Sequence, residues 1–94
     1  MKYRQLFEWD ESKEWANRMK HGLRFESVLG LWEDKLASEF VDENSTKEIR
    51  YIRRGFNELN QFLVVVFTER NDTIRIISAR LGTLRERRLH EGRI

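Results

Sequence analysis

The pattern of apolar and polar positions predicts a strand and then a helix at the start of the chain. Tyr3–Trp9 is short and rich in aromatic residues, at positions 3, 7 and 9, which is typical of a strand. Asp10 can accept the unpaired amide hydrogens of a first helical turn, so a helix is predicted over Glu11–His21. Gly22 readily adopts the left-handed conformation that ends a helix, and we expect this one to end there.

Helical spacing of large apolar residues predicts which faces of two helices are buried. In the first helix Trp15 and Met19 are spaced i and i+4 and are predicted to form the buried stripe, with Ala16 beside them. A second helix is predicted over Phe25–Trp32, where apolar residues stand at i, i+3, i+4 and i+7. Neither helix holds an obvious set of reactive side chains, so both are assigned to packing.

From residue 36 onward the period changes to that of extended chain. The predicted strands are Leu36–Val41, Lys47–Phe56, Phe62–Thr68 and Thr73–Arg80. The third of these is apolar on both faces and should be central in the sheet. Residues 69–72 form a predicted four-residue hairpin connection. Thr83 and Glu86 have the spacing of a capping box, which predicts a last helix from Leu84 to about Glu91.

The predicted order of elements is β-α-α-β-β-β-β-α. The last four strands are joined by turns too short for parallel crossovers, so the sheet should be a largely antiparallel meander. With two N-terminal helices packed on a sheet of about five strands, the fold class is α+β. The 94 residues fit a single domain over residues 1–94.

The composition excludes several classes of protein. No Cys is present, which excludes a disulfide scaffold, an iron–sulfur cluster, a thiolate zinc site and a Cys nucleophile. The longest apolar stretch, Phe62–Phe67, is six residues, far below the roughly 20 needed to span a bilayer. Because positions 1–9 contain no apolar signal core, we expect a cytoplasmic protein without a membrane partner.

Positive charge is concentrated in the C-terminal half. The net charge is only +2, but from Glu48 to the end there are ten Arg and no Lys. Arg offers a planar fork of donors that suits phosphate and carboxylate groups. This half is therefore expected to bind a polyanion or an acidic partner, although a solvated surface that balances the acidic first half explains the charge equally well.

Recognised catalytic constellations are mostly missing from the sequence. It has no glycine-rich phosphate loop and no histidine pair at metal-binding spacing, because His21 and His90 lie in different predicted elements. Neither a metal nor a cofactor is therefore expected. The arginines of the predicted strands and last helix are the main candidates for chemistry.

Side-chain alternation places the arginines of the last predicted strand. It puts Arg75 and Arg80 on opposite faces. Arg80 would then share a face with Ile74, Ile76 and Ser78, an unusual place for a charge unless the strand end opens into a groove. There, next to an Arg-bearing helix, it could hold phosphate oxygens. For any single arginine, ion pairing with one of the glutamates at positions 48, 69 and 86 is the commoner alternative.

Blocks of sequence spread over nearly the whole chain resemble one known family. The first half contains Phe7-Glu8-Trp9-Asp10, Lys13, Asn17, Lys20-His21-Gly22 and Phe25-Glu26. The second half contains Arg50-Tyr51, Leu63-Val64-Val65-Val66, Thr68-Glu69-Arg70, Arg75-Ile76-Ile77-Ser78-Ala79-Arg80 and Glu86-Arg87. In this order and spacing the blocks resemble the BrnT family of toxins from bacterial type II toxin–antitoxin modules.

The resemblance implies a RelE-like ribonuclease fold and a cleavage of RNA that arrests translation. It also implies a partner, an antitoxin of the BrnA type with a ribbon-helix-helix DNA-binding domain, which neutralises the toxin in a tight complex. This complex would repress its own operon, so operator DNA would be contacted only indirectly, through the antitoxin. Two positions depart from the family pattern: His90 stands where the family often has Tyr, and Gly82 where it often has Ala. His90 could serve in acid–base catalysis or mark a variant with altered activity.

A metal-free ribonuclease of this size must use the 2′-hydroxyl of the RNA as nucleophile, which leaves a 2′,3′-cyclic phosphate and a free 5′-hydroxyl. The transition state needs cations, for which Arg80 and Arg50 are predicted. The proton transfers need a base and an acid, for which the candidates are Glu48, Glu86 and His90. Contacts to RNA are predicted from Arg75, Arg87, Lys20 and His21.

Two alternatives stay open. His21 is a weaker candidate for proton transfer, because a histidine in the last turn of a helix more often contacts the terminal carbonyls. The whole chain could also be a non-catalytic RNA-binding or co-repressor module that acts through its Arg-rich face.

Overall fold

The computed structural model describes residues 5–92, which form one five-stranded sheet with helices on both of its faces. The strands are β1 (Leu6–Trp9), β2 (Ser38–Val41), β3 (Tyr51–Phe56), β4 (Phe62–Arg70) and β5 (Thr73–Leu81). The helices are α1 (Glu11–His21), a 3₁₀ helix (Phe25–Glu33) and α2 (Leu84–His90). Tyr3 and Arg4, where the first strand was predicted to begin, lie outside the described residues.

The sheet is mostly antiparallel, as predicted, and β4 is its central strand. The strand order is β1-β5-β4-β3-β2. Strands β2 to β5 form an antiparallel meander, and β1 adds to its edge in parallel with β5. The connection between β4 and β5 is shorter than predicted. Only Asn71 and Asp72 form the turn, both with positive φ (48° and 66°), as two-residue hairpin turns require.

An irregularity in the pairing of β4 with β5 decides where the arginines point. Val66 is paired with Ser78 but Phe67 with Ile76, so the intervening residue of β5 has no partner and forms a bulge. The extra residue reverses the alternation between Arg75 and Arg80. Both therefore lie on one face, and the prediction that they lie on opposite faces, with Arg80 beside Ile74 and Ile76, is wrong.

The two faces of the sheet differ in chemistry. We call the first the core face; its fully buried side chains include Leu63, Val65, Phe67 and Ala79. The 3₁₀ helix packs on it through the buried Phe25, Val28 and Leu31. We call the second the open face; cross-strand pairing places Ile52, Arg54, Val64, Val66, Thr68, Arg75, Ser78 and Arg80 there. The helix α2 covers one end of the open face through Arg80 and Arg54, both of which contact Glu86.

Helix α1 begins and ends where predicted, but the face that was predicted to be buried is exposed to solvent. The carboxylate of Asp10 accepts hydrogen bonds from the amides of Ser12 and Lys13, and Gly22 ends the helix with φ 73°. Trp15 and Met19 are nevertheless 58% and 61% exposed, so the predicted buried stripe is wrong.

A polar contact explains this orientation. Strand β1 pairs β5 only as far as Ile76, which leaves the backbone of Ala79 without a strand neighbour on that side. The buried amide of Asn17 takes that place: its Nδ2 donates to the Ala79 carbonyl at 2.8 Å, and its Oδ1 accepts from the Ala79 N–H at 3.0 Å. Because buried backbone groups must be hydrogen-bonded, the face with Asn17 turns inward.

Two further elements differ from their predictions. The second helix is 3₁₀ rather than α-helical and runs one residue further, to Glu33. Its buried residues are Phe25, Val28 and Leu31, three apart as a 3₁₀ helix requires, so only the first two of the predicted positions are fully buried. Strand β3 begins at Tyr51 rather than at Lys47, so Arg50 precedes the strand instead of lying within it. The capping box of α2 forms as predicted, with hydrogen bonds in both directions between Thr83 and Glu86.

Candidate active site on the open face

A clamp between Arg80 and Glu86 connects the sheet to α2. Arg80 Nη1 and Nη2 donate to the two carboxylate oxygens of Glu86 at 2.8 and 2.9 Å, a bidentate geometry. Arg54, which lies in the same cross-strand row as Arg80, is 3.9 Å from the same carboxylate. The Thr83 N–H donates to it at 2.8 Å. Arg80 and Glu86, both predicted as site residues, are therefore brought together.

The clamp fixes the charge of Glu86. The hydrogen bonds from Arg80 are the largest cause and, opposed by partial burial, lower the pKa of Glu86 from 4.5 to about 2. The same hydrogen bonds raise the pKa of Arg80. Glu86 is thus a carboxylate at neutral pH, and its two hydrogen bonds fix the orientation of the Arg80 guanidinium.

The far end of α2 rests on aromatic side chains. The His90 ring lies 5.3 Å from that of Phe62 and 6.3 Å from that of Phe56, and its Nδ1 is 3.2 Å from Ser38 Oγ. The Arg87 guanidinium lies 5.2 Å from the centre of the Phe56 ring. Gly82 also lies against Phe62, since a Cβ at this position would overlap the Phe62 ring.

A second set of cations surrounds a cavity of about 410 Å³ between α1 and the sheet. Lys13, Lys20 and His21 line it from α1, Ser78 lines it from β5, and Arg50 lines it from the residue before β3. Three of these residues were predicted to act on RNA: Arg50, Lys20 and His21. Since Ser78 lies on the open face two residues before Arg80, the cavity and the clamp adjoin along β5.

Two predicted site residues lie elsewhere. Glu48 pairs with Arg70 at 3.1 Å. Arg70 is six residues along β4 from Val64, the partner of Arg80, which corresponds to roughly 20 Å. Arg75 is on the open face but is paired with Glu8 at 3.4 Å, near the edge formed by β1. Neither is brought into the clamp or the cavity.

The sequence analysis gave no site role to Lys13, Ser78 or Arg54, although Arg54 is one of the strand arginines that it named as candidates for chemistry. Lys13 and Lys20 are seven residues apart in a helix, a spacing that puts them on one face and could have been used. Arg54 lies two residues from Ile52 in β3 and therefore on the same face, as strand alternation alone indicates. Ser78 lies on the same face as Arg80, as predicted, but the cavity beside it forms where α1 packs, which no local pattern contains.

Comparison with known proteins assigns the family. Residues 9–86 match the family model described as the ribonuclease toxin BrnT of a type II toxin–antitoxin system. The chain belongs to the BrnT family of ribonuclease toxins. Its structure is similar to the crystal structure of the Brucella abortus ribonuclease toxin BrnT, with a TM-score of 0.63 and 26% sequence identity over 83% of this chain and 97% of that one. No curated protein matches the chain.

Membership of the BrnT family implies an antitoxin partner and an RNA target. The matched residues 9–86 include the cavity and the Arg80–Glu86 clamp but end before His90. Within residues 5–92, no group of three or more His, Cys, Asp or Glu side chains is arranged to hold a metal ion. In the same range no helix has the length and apolar character needed to cross a membrane.

Proposed function

We propose that this BrnT-family chain is a metal-independent endoribonuclease that cleaves RNA by attack of the 2′-hydroxyl on the adjacent phosphate. The observation that carries the proposal is the joining of two cationic sets on the open face. Arg80 and Arg54 stand at one end of it, and Arg50 stands with the α1 cations at the cavity. A phosphodiester bound between them would have positive charge on both sides, as the pentavalent transition state requires.

Arg80 and Arg50 are the proposed transition-state cations. The clamp with Glu86 holds the Arg80 guanidinium in one orientation, so little reorganisation is needed when negative charge develops on the phosphate. Arg50 lies at the cavity with Ser78. Among the described residues, Arg50 has no salt-bridge partner to compete with a phosphate.

His21 is the proposed proton carrier, because it shares the cavity with Arg50 and an imidazole ring can both accept and donate a proton. Glu86 is unsuited to accept a proton at neutral pH, since its pKa is lowered to about 2. The contacts of His90 with Phe62 and Ser38 favour a role in seating α2. Glu48 is excluded from the proposal by its position beside Arg70.

The family supports the wider biological role. We infer a RelE-like relationship, an arrest of translation by RNA cleavage, and neutralisation by an antitoxin of the BrnA type with a ribbon-helix-helix domain. Operator DNA would then be bound through the antitoxin. The reading frame beside the gene for this chain should encode a small protein with a ribbon-helix-helix pattern, and its absence there would count against this role.

Incubation of the purified chain with RNA in EDTA tests the catalytic proposal. The expected products carry 2′,3′-cyclic phosphate and 5′-hydroxyl ends, detected by end-specific labelling. RNA that is retarded in a salt-dependent way but stays intact would support the alternative, a non-catalytic RNA-binding module. Cleavage that appears only when a divalent cation is added would overturn metal independence.

A further inference from the structure

A row of four side chains crosses the open face from the outer edge of the sheet to the cavity. Phe40 pairs with Ile52, Ile52 with Val66, and Val66 with Ser78. Partners in adjacent strands lie on the same face about 4.8 Å apart, so the row spans roughly 14 Å. We call these four residues the floor row.

Within β4, the residue of the floor row is more accessible than the residue of the row next to it. In β4 the side chain of Val64 is only 5% exposed, whereas Val66 is not buried. Helix α2 accounts for the difference, because its contacts reach the row of Arg80, Val64 and Arg54. At the outer end, Phe40 is 39% exposed on an edge strand whose four residues are all exposed.

Cations stand on both sides of the floor row. Arg54 and Arg80 belong to the row on one side. Arg50 precedes β3 on the other side, near Thr68, whose hydroxyl donates to the Ile49 carbonyl.

Phe40 is an aromatic side chain in the position of a base-stacking platform. The Arg54 guanidinium lies 4.8 Å from the centre of its ring, a cation–π contact that holds the ring on the open face. Single-stranded RNA alternates planar bases with phosphates, and proteins bind it by stacking bases on aromatic rings between cations. A duplex keeps its bases stacked on each other and could not use the ring in this way.

We propose that single-stranded RNA crosses the strands along the floor row, with one unpaired base stacked on Phe40 and the scissile phosphate at the Ser78 end, beside the cavity. This inference rests on the proposed function for the place of the chemistry, but the stacking contact stands by itself. Phe40 is on this account a substrate-binding residue about 14 Å from the reaction. It sets where the RNA lies relative to the scissile bond.

Binding of RNA that cannot be cleaved tests the stacking contact apart from catalysis. The probe is a fluorescent single-stranded oligonucleotide with 2′-O-methyl groups throughout, titrated with the full chain and followed by anisotropy. Phe40→Ala should weaken binding about 10-fold, because one base–aromatic contact is worth roughly 1–3 kcal/mol. Phe40→Tyr should restore it. The matched control is Val41→Ala, which alters the neighbouring exposed residue of β2, paired in register with Tyr51 of the core face.

Abasic substitutions in the probe locate the stacked base. Moved along the oligonucleotide, an abasic site should weaken binding to the parent chain at one position only. With that probe Phe40→Ala should cause no further loss. Equal binding by a folded Phe40→Ala variant, or an equal loss in Val41→Ala, would overturn the proposal, as would a Phe40→Ala variant that loses affinity for the antitoxin and none for RNA.

The cleavage assay separates this result from the proposed function. With cleavable RNA, Phe40→Ala should raise KM about 10-fold and leave kcat nearly unchanged, because the ring is remote from the reacting atoms. If Phe40→Ala weakens binding while the parent chain cleaves nothing in EDTA, catalysis fails and the stacking contact stands. If the parent chain cleaves and Phe40→Ala alters neither binding nor KM, the stacking contact fails alone.

Discussion

The two faces of the sheet are formed by the same strands but differ in how completely other elements cover them. Strand β4 is apolar on both sides, yet Val65 and Phe67 on the core face are fully buried while Val66 on the open face is not. Apolar side chains of the 3₁₀ helix cover the core face. Helix α2, of whose residues 84–90 none is buried, meets the open face through a polar clamp. Stability therefore depends mainly on the first face, and the second keeps surface available for a ligand.

Removal of a core-face aromatic should have the largest effect. Phe67 is fully buried between Trp32 and Tyr51, with ring centres 5.1 and 5.5 Å away. Phe67→Ala should lower the free energy of unfolding by about 4 kcal/mol, because it removes a buried ring and leaves a cavity. Val66→Ala, its neighbour on the open face, should cost about 1 kcal/mol. Denaturant unfolding measures both, and equal losses would remove the distinction between the faces.

Asn17 should be nearly as important, since it is a polar residue that serves the core. Asn17→Ala leaves the Ala79 N–H and carbonyl without their partner in a buried site and should cost about 3 kcal/mol. Lys20→Ala, on the same helix but exposed, is the control and should change stability by less than about 0.5 kcal/mol. Similar values for the two variants would show that the amide contact does not anchor α1.

The clamp on the open face should make the free energy of unfolding depend on pH in the acid range. The pKa of Glu86 is lowered in the folded protein from 4.5 to about 2, so its contribution is complete above pH 4.5 and is lost as pH falls through 2. Glu86→Gln should therefore be less stable than the parent at pH 7, by roughly 1–2 kcal/mol after allowance for solvent at the Arg80 side. The two proteins should converge as pH approaches 2. A difference that is constant with pH would contradict this assignment.

The outward residues of α1 should matter least. Trp15→Ser should change the free energy of unfolding by about 0.5 kcal/mol, because Trp15 is 58% exposed and faces away from Asn17. Thermal unfolding of this variant beside Phe25→Ala provides the comparison, since Phe25 is the fully buried aromatic of the neighbouring 3₁₀ helix. A loss above about 2 kcal/mol in Trp15→Ser would mean that the face with Trp15 is packed after all.

The same two helices show how far the sequence could lead. Apolar spacing located both of them, and in the 3₁₀ helix it identified the buried Phe25 and Val28 but not Leu31, because it assumed α-helical spacing. In α1 the same rule predicted that Trp15 and Met19 are buried, but both are exposed. The buried residue is Asn17, because the Ala79 backbone groups need a polar partner, and the spacing of apolar residues carries no information about that need. Long-range hydrogen bonds of this kind depend on where β1 ends, which no local pattern contains.

The candidate site was predictable in part for a related reason. The capping box that places Glu86 is a local signal, and Arg80 and Arg50 were found from charge and family resemblance. The position of Arg75 and Arg80 on one face depends on the bulge opposite Val66 and Phe67, a feature of strand pairing rather than of sequence period. The ion pairs that hold Glu48 and Arg75 apart from the clamp and the cavity are likewise visible only once the strands are aligned.

The cleavage rate of a folded Arg80→Ala variant tests the central claim most directly. Arg24→Ala is the matched control, since it removes the same charge at an exposed residue next to the 3₁₀ helix that covers the core face. Both variants should keep the parent circular dichroism spectrum. In EDTA, Arg80→Ala should cleave RNA 10²–10³-fold more slowly than the parent, because one transition-state contact is lost, while Arg24→Ala should cleave at the parent rate. A folded Arg80→Ala that cleaves as fast as the parent would contradict the assignment of catalysis to the open face.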